Sequence, residues 1–480
     1  MSKRKRSSLE VRLRDLPCAP LDALDTTVAA ALERADALVA ALPAGLAEAK
    51  EATDAARDST FPFLDGAPSC GLQHAAAYSA ASVLWAACLL EEANGATSAS
   101  AAYTAAQAAL RALDLAMLRG GVEKWSAVAE PLVRSATLHL EHVEAVSAPI
   151  CAAPSAAKAW EEQCPHFTAN GHAIPRVDAR SLGVEEFRAR FMEPPSAAAA
   201  CVDTPRPVVL THALDAWPAF GKWSFASLKE THGHRLVPVE TYASRDASTT
   251  YLSASWAQRV MPLAEYVDRY VLHARDGALS AASGGCSNDA GDGDVGGDGE
   301  DGGDDAARGY LAQHPLLDQI PMLRDEIRTP CFCEALTAED QAAPAACEVR
   351  LKPIVSAWLG PAGTVSPLHT DPFHNLLGQV VGHKYVRLFA AGETPKLYPR
   401  SGALCNNSYV DLDTPNPTEQ PLVADASFAH CVLGPGELLY IPRHFWHYVR
   451  SLEPSASVSF WWGARMALTL SDEGGVEATY

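Results

Sequence analysis

The stretch from Ser366 to His447 limits the folds open to this chain more than any other. It opens on Ser366-Pro367-Leu368-His369-Thr370-Asp371-Pro372 and closes on Gly434-Pro435-Gly436-Glu437-Leu438-Leu439-Tyr440-Ile441-Pro442-Arg443-His444-Phe445-Trp446-His447. Between them, Leu376-Leu377-Gly378-Gln379-Val380-Val381-Gly382 and Tyr385-Val386-Arg387-Leu388-Phe389 are apolar, β-prone runs on either side of a glycine-containing turn. Ser457-Val458-Ser459-Phe460-Trp461-Trp462-Gly463 follows as another strand with a heavy aromatic load. On strands, side chains at i and i+2 share a face. His369 and Asp371 therefore reach one ion together, and His447 arrives from a second strand. Two imidazoles and one carboxylate are the facial ligand set of non-haem Fe(II) sites, which leaves positions open for a co-substrate and O₂.

An isolated His-x-Asp pair says little in a chain with 16 histidines. Asp371 before Pro372 is also a turn signature. His374 is the rival ligand, disfavoured by strand parity, and His444 is expected outside the ligand set. Lys384 adds weight, because it is set in an apolar strand. A buried ammonium is costly without an anionic partner, so Lys384 points to an anionic ligand. The alternative is an edge-strand lysine facing solvent.

These residues resemble the JmjC family of Fe(II)- and 2-oxoglutarate-dependent oxygenases, most closely its small hydroxylase-type members. The likeness runs from about Ile174 to Gly463, with a weaker helical similarity upstream. It is closest at Gly309-Tyr310-Leu311-Ala312-Gln313-His314, at Ser366 to Pro372, and at Trp446-His447-Tyr448-Val449-Arg450. The resemblance implies a double-stranded β-helix (a jelly-roll, cupin-like domain) that binds Fe(II) through His369, Asp371 and His447. It implies that Tyr310, Ser366 and Lys384 hold the far carboxylate of 2-oxoglutarate, and that Asn375 hydrogen-bonds the carboxylate nearest the iron. The implied reaction consumes O₂ and 2-oxoglutarate, releases succinate and CO₂, and hydroxylates a substrate C–H bond.

For substrate, the family likeness favours a protein side chain, notably arginine. A guanidinium calls for a planar carboxylate and an aromatic wall. Glu240, in Val237-Pro238-Val239-Glu240, matches the family at the carboxylate position, and Trp358 and Trp461 are the candidate walls. Each tryptophan reads equally well as a core aromatic, and Glu240 as a surface strand residue. The runner-up is demethylation of methyl-lysine on histone tails at the same iron site. A third reading, a non-catalytic cupin-like interaction module, is opposed by the intact triad together with Lys384 and Asn375.

The 480 residues exceed one typical core and predict two domains. Residues 1–25 are expected to be a disordered basic terminus, in which Lys3-Arg4-Lys5-Arg6 reads as a nuclear address or as a solvated cluster. Residues 26–146 are rich in alanine and leucine and predict a small all-α domain. Its stripes are Tyr103, Ala106, Leu110, Leu113 and Met117, then Trp125, Val128, Leu132, Ala136, Leu140 and Val143. A linker is expected over 147–170, the catalytic domain over 171–465 and a tail over 466–480. The Gly/Asp-rich stretch 277–307 cannot build a core and is expected to be a disordered insertion.

A net charge of −20 argues against a general nucleic-acid binder and suits a basic protein or peptide partner. There is no apolar run of membrane-spanning length and no signal-peptide core, so a soluble nuclear or cytoplasmic protein is expected rather than a secreted or membrane one. The 12 cysteines are scattered and are expected to be reduced. Cys331-Phe332-Cys333 lacks the second pair that a zinc site needs.

Overall fold

The computed structural model describes residues 16, 26–40, 42, 46–60, 68–140, 170–193, 205–242, 256–272, 308–341, 348–349, 352–463, 465–470 and 476–479. The expected basic terminus, the linker and the Gly/Asp-rich insertion lie outside these residues, apart from Leu16 and Asn170.

The N-terminal region is helical: α1 (Thr26–Val39), α2 (Leu46–Thr60), α3 (Pro68–Gly95), α4 (Ala99–Gly120) and α5 (Val122–Thr137). Small side chains let α3 and α4 pack closely, with Ala105, Ala106, Ala109 and Ala112 of α4 buried beside Leu110 and Leu113. Ser98 caps α4 by accepting from the amide of Ala101, which satisfies an otherwise orphaned donor. Pro131 sits inside α5.

A buried helical residue helps tie this bundle to the rest of the molecule, beside the Arg134–Asp325 ion pair on the surface. Asp114, fully buried on α4, accepts from Arg235 Nη2 at 2.5 Å, from Gln319 Nε2 at 2.7 Å and from the Leu236 amide at 2.9 Å. Removing one partner from such a buried pair costs about 3–5 kcal/mol, because the other charge is stranded.

The remainder is built on strands: β1 (Gly171–Ala173), β2 (Arg176–Asp178), β3 (Val208–Thr211), β4 (Leu236–Tyr242), β5 (Trp256–Pro262) and β6 (Arg308–His314). After β7 (Glu348–Val349) come β8 (Ile354–Gly360), β9 (Val365–Thr370), β10 (His374–Val381), β11 (Lys384–Phe389) and β12 (Phe428–Leu433). The last are β13 (Leu438–Ile441), β14 (Trp446–Ser451), β15 (Ser455–Trp462), β16 (Arg465–Leu470) and β17 (Val476–Thr479). A five-stranded sheet in the order β1-β12-β11-β14-β9 faces a nine-stranded sheet in the order β2-β3-β13-β10-β15-β8-β6-β4-β5. The expected tail contributes β17 and most of β16, which pair with each other, and β16 also pairs with β7.

Strand alternation sorts the side chains into three layers. Val386 and Leu388 of β11, Leu377 of β10, Val449 of β14 and Ile441 of β13 meet between the sheets. The alternate residues Tyr385, Phe389, Trp446 and Tyr448 pack on the outside of the five-stranded sheet. Leu376, Val458, Phe460 and Trp462 face outward from the nine-stranded sheet onto Phe187, Trp217 and Trp223. Gly382 lies in the β10–β11 turn at φ 73°, where a Cβ would come within 2.3 Å of the Pro454 carbonyl, so the turn that sets Lys384 in register needs glycine. No helix among the described residues is long and apolar enough to cross a membrane.

Candidate functional site

Between the sheets lies a cavity of about 500 Å³. Its lining includes all ten residues singled out in the sequence: Glu240, Tyr310, Trp358, Ser366, His369, Asp371, Asn375, Lys384, His447 and Trp461. Alternation explains the convergence. Lys384 shares its strand face with Val386 and Leu388, Asn375 with Leu377, and His447 with Val449.

Strand β14 pairs with β9 so that His447 lies opposite His369, and the two rings are 4.1 Å apart. The register then slips, so that Val449 lies opposite Ser366. In a regular strand Ser366 and His369 would face opposite ways. The extra residue on β9 brings both to the cavity.

His369, Asp371 and His447 each offer an atom, all within 4.8 Å of one another. His447 Nε2 stands 3.6 Å from Asp371 Oδ2. The backbone sets both tautomers. His369 Nδ1–H donates to the Pro367 carbonyl at 2.7 Å, and His447 Nδ1–H donates to the Phe445 carbonyl at 3.1 Å. A carbonyl only accepts, so each Nε2 keeps its lone pair for an ion. Burial, then the neighbouring His369, pushes the His447 imidazole down to about 4, which keeps it neutral at physiological pH.

The rival histidines lie elsewhere. His374 is buried beside Tyr440, whose hydroxyl is 2.9 Å from Nδ1, and His374 does not line the cavity. His444 is exposed at φ 62°, and its amide donates to the Asp371 carbonyl at 2.8 Å. That bond ties the approach to β14 to the end of β9.

Deeper in, Lys384 is 2% exposed and donates to Ser457 Oγ at 2.8 Å. Burial alone pushes its amine down to about 7. Burial raises the Tyr310 phenol well above its ordinary range, against the opposing influence of the Ser366 hydroxyl. Asn375 Oδ1 and Trp461 Nε1 are buried without a partner. A cation without a countercharge and the unpartnered Trp461 N–H donor beside a three-ligand cluster fit a metal-chelated dicarboxylate.

Toward the mouth, Glu240 accepts from the Tyr242 hydroxyl at 2.6 Å. Burial raises the Glu240 carboxyl, against the opposing hydrogen bonds from Tyr242 and Trp256. Trp358 meets Trp461 edge-on at 6.1 Å and donates to Ser459 Oγ at 2.9 Å.

Several lining residues escaped the sequence reading. Tyr242 was legible in principle, two positions past Glu240 on the same strand face. Trp256 starts a strand with no recognisable apolar alternation. Asn406 and Asn407 come from a loop, where Asn407 bridges to His369 and Asn406 Nδ2 donates to the Thr370 carbonyl at 3.2 Å.

Residues 194–467 match the cupin-like domain family. The chain is 37% identical over 291 residues to the Xenopus tropicalis protein named lysine-specific demethylase 8, covering 60% of this chain and 53% of that protein. It is 38% identical over 290 residues to the Arabidopsis thaliana lysine-specific demethylase JMJ30, covering 60% and 54%. It is 35% identical over 352 residues to the Drosophila melanogaster Jumonji C domain-containing protein 5, covering 73% and 72%. The match thus spans about half the length of the first two relatives and nearly three-quarters of the third. With a double-sheet barrel, a histidine–aspartate–histidine cluster inside it and these relatives, the chain belongs to the cupin-like JmjC family of Fe(II)- and 2-oxoglutarate-dependent oxygenases.

Proposed function

We propose that this chain oxidises a basic side chain of a protein substrate, using Fe(II), 2-oxoglutarate and O₂. The observation that carries the reading is Lys384: a buried cation with no countercharge, in the same cavity as the His369–Asp371–His447 cluster. Iron bound there would supply the oxidation, with 2-oxoglutarate as the electron donor consumed alongside. The protein's part is placement. His369, Asp371 and His447 hold the metal through one carboxylate and two Nε2 lone pairs. Lys384, with the hydroxyls of Tyr310 and Ser366, takes the far carboxylate of 2-oxoglutarate, and Asn375 takes the carboxylate nearest the metal. Glu240 receives the substrate's cationic end, and Trp358 and Trp461 wall its stem.

Two outcomes are open to a cation held this way. Oxidation of an N-methyl group on lysine, which then leaves as formaldehyde, is supported by the names of the Xenopus and Arabidopsis relatives. Hydroxylation of arginine carbon is the second reading, supported by Glu240, whose carboxylate matches a planar guanidinium. A histone tail or another basic protein segment satisfies the first outcome. The Lys3-Arg4-Lys5-Arg6 run supports a nuclear setting for it. Incubation with methyl-lysine and arginine peptides, iron, ascorbate and 2-oxoglutarate tests the proposal by mass spectrometry. Loss of a methyl group with formaldehyde release assigns demethylation, and a stable gain of one oxygen assigns hydroxylation. Absence of peptide-stimulated succinate from both sets overturns the substrate class.

A further inference from the structure

We infer that β5 is a docking ledge on which the substrate's own backbone adds as an extra strand, running past the mouth of the cavity. This rests on the reading of the substrate as a protein segment. Strand β5 ends the nine-stranded sheet and, among the described residues, pairs only with β4. Alternate residues of an antiparallel edge strand turn their N–H and C=O groups outward, ready to pair with another chain. Exposed edges of this kind are used for strand addition by extended peptides.

On β5 the one charged residue, Arg259, alternates to the face opposite Glu240, and the proline, Pro262, lies at the end away from Trp256. Its first five residues are exposed. Trp256, Gln258 and Val260 lie opposite Tyr242, Glu240 and Pro238. Directly opposed residues share a face, so this trio faces the same way as the cavity residues Tyr242 and Glu240. Trp256 is 40% exposed and lines the cavity itself, while Val260 is 50% exposed. An uncharged row, Trp256 and Val260 with Gln258 between them, therefore runs out of the mouth along the sheet edge. A carboxylate, Glu240, sits one strand in from that edge. The occupant that fits is an extended segment carrying one basic residue, whose backbone pairs with β5 and whose side chain passes Trp256 toward Glu240.

The test uses the full chain and two pairs of probes. Each pair is a single capped residue, arginine or Nε-dimethyl-lysine, and the same residue between two Thr-Val-Thr arms. Succinate formation is followed against probe concentration. The ledge predicts a KM at least about tenfold lower for the flanked probe, the scale of one or two backbone hydrogen bonds. N-methylating alternate backbone amides of the arms removes that gain in one phase and leaves it in the other, because only one set of amides faces β5. Val260→Lys removes the gain for the flanked probe without moving the KM of the single residue, with thermal unfolding checking the fold.

Equal KM values for the single and flanked probes, or equal effects of the two methylation phases, overturn the ledge and leave the proposed oxidation standing. If no probe is oxidised, the substrate reading fails. The ledge is then judged by fluorescence anisotropy of the labelled flanked arginine peptide, where binding sensitive to one phase supports it and binding insensitive to phase, or none, overturns it. Sedimentation showing a dimer that Val260→Lys splits would assign the edge to a second copy of this chain, and the ledge falls.

Discussion

The two ends of the cavity are built differently. At the inner end both histidines and Lys384 are held by neighbours. Backbone carbonyls fix both histidine rings, and Ser457 holds Lys384. These residues, apart from Asp371 just past the end of β9, sit within strands. Toward the mouth, Glu240, Tyr242 and Trp256 come from the edge pair β4 and β5, and Trp256 is partly in water. Chemistry that depends on a metal and a small co-substrate needs groups held in place, and packed strands provide that. Recognition of a variable partner is carried by edges and loops, whose change leaves the core intact.

That contrast breaks most sharply at the metal cluster. His369→Ala or Asp371→Ala removes one of three ligands, so iron retention after dialysis and all 2-oxoglutarate turnover are expected to vanish. Turnover surviving in either variant would mean that the inner end is not the reaction centre.

The next largest effect belongs to Lys384. Lys384→Ala removes a charge-assisted contact of roughly 1.5–3 kcal/mol, about ten- to hundredfold in affinity. The apparent constant for 2-oxoglutarate should rise by at least about tenfold while iron remains bound. An unchanged constant would place the co-substrate elsewhere in the cavity.

Glu240→Ala acts at the mouth and should show the opposite split. The expected outcome is a fall of about tenfold in kcat/KM for a basic peptide, the scale of one charged hydrogen bond, with the KM for 2-oxoglutarate nearly unmoved. A shift in both constants would erase the division between the two ends.

The smallest effect is a pH dependence of the ligand-free protein. Burial lowers the Lys384 amine from its ordinary 10.5 to about 7, so between those values the unfolded chain binds more protons than the folded one. Stability from this group therefore rises with pH across that window and is flat below it. Thermal midpoints of the ligand-free wild type should gain on those of Lys384→Met from about pH 7 upward. 2-Oxoglutarate favours the charged amine, so its affinity should weaken over the same window. A constant difference in midpoint would show that the amine keeps its ordinary value.

Much of the inner end was legible along the chain because its signals are local. Strand alternation put Lys384 with Val386 and Leu388, and put His374 on the opposite face from Asn375. Helical periodicity likewise marked Leu110, Leu113, Trp125 and Leu132 as core. A strand's two-residue period and a helix's 3.6-residue period are properties of the backbone itself, so a short window is enough to read them.

Other features belong only to the folded molecule. They include the extra residue on β9 that turns Ser366 toward His369, the link from Asp114 to Arg235, and the position of β5 at the sheet edge with Trp256 beside Glu240. So does the arrival of Asn406 and Asn407 beside Thr370 and His369. Each is a pairing between segments distant in sequence, selected by how two sheets and a helical bundle bury their faces together. No local pattern records which strand will lie beside which. The grouping of His369, Asp371 and His447 and the burial of Lys384 beside them were thus written in the chain, whereas the shape of the cavity's opening was decided by tertiary packing.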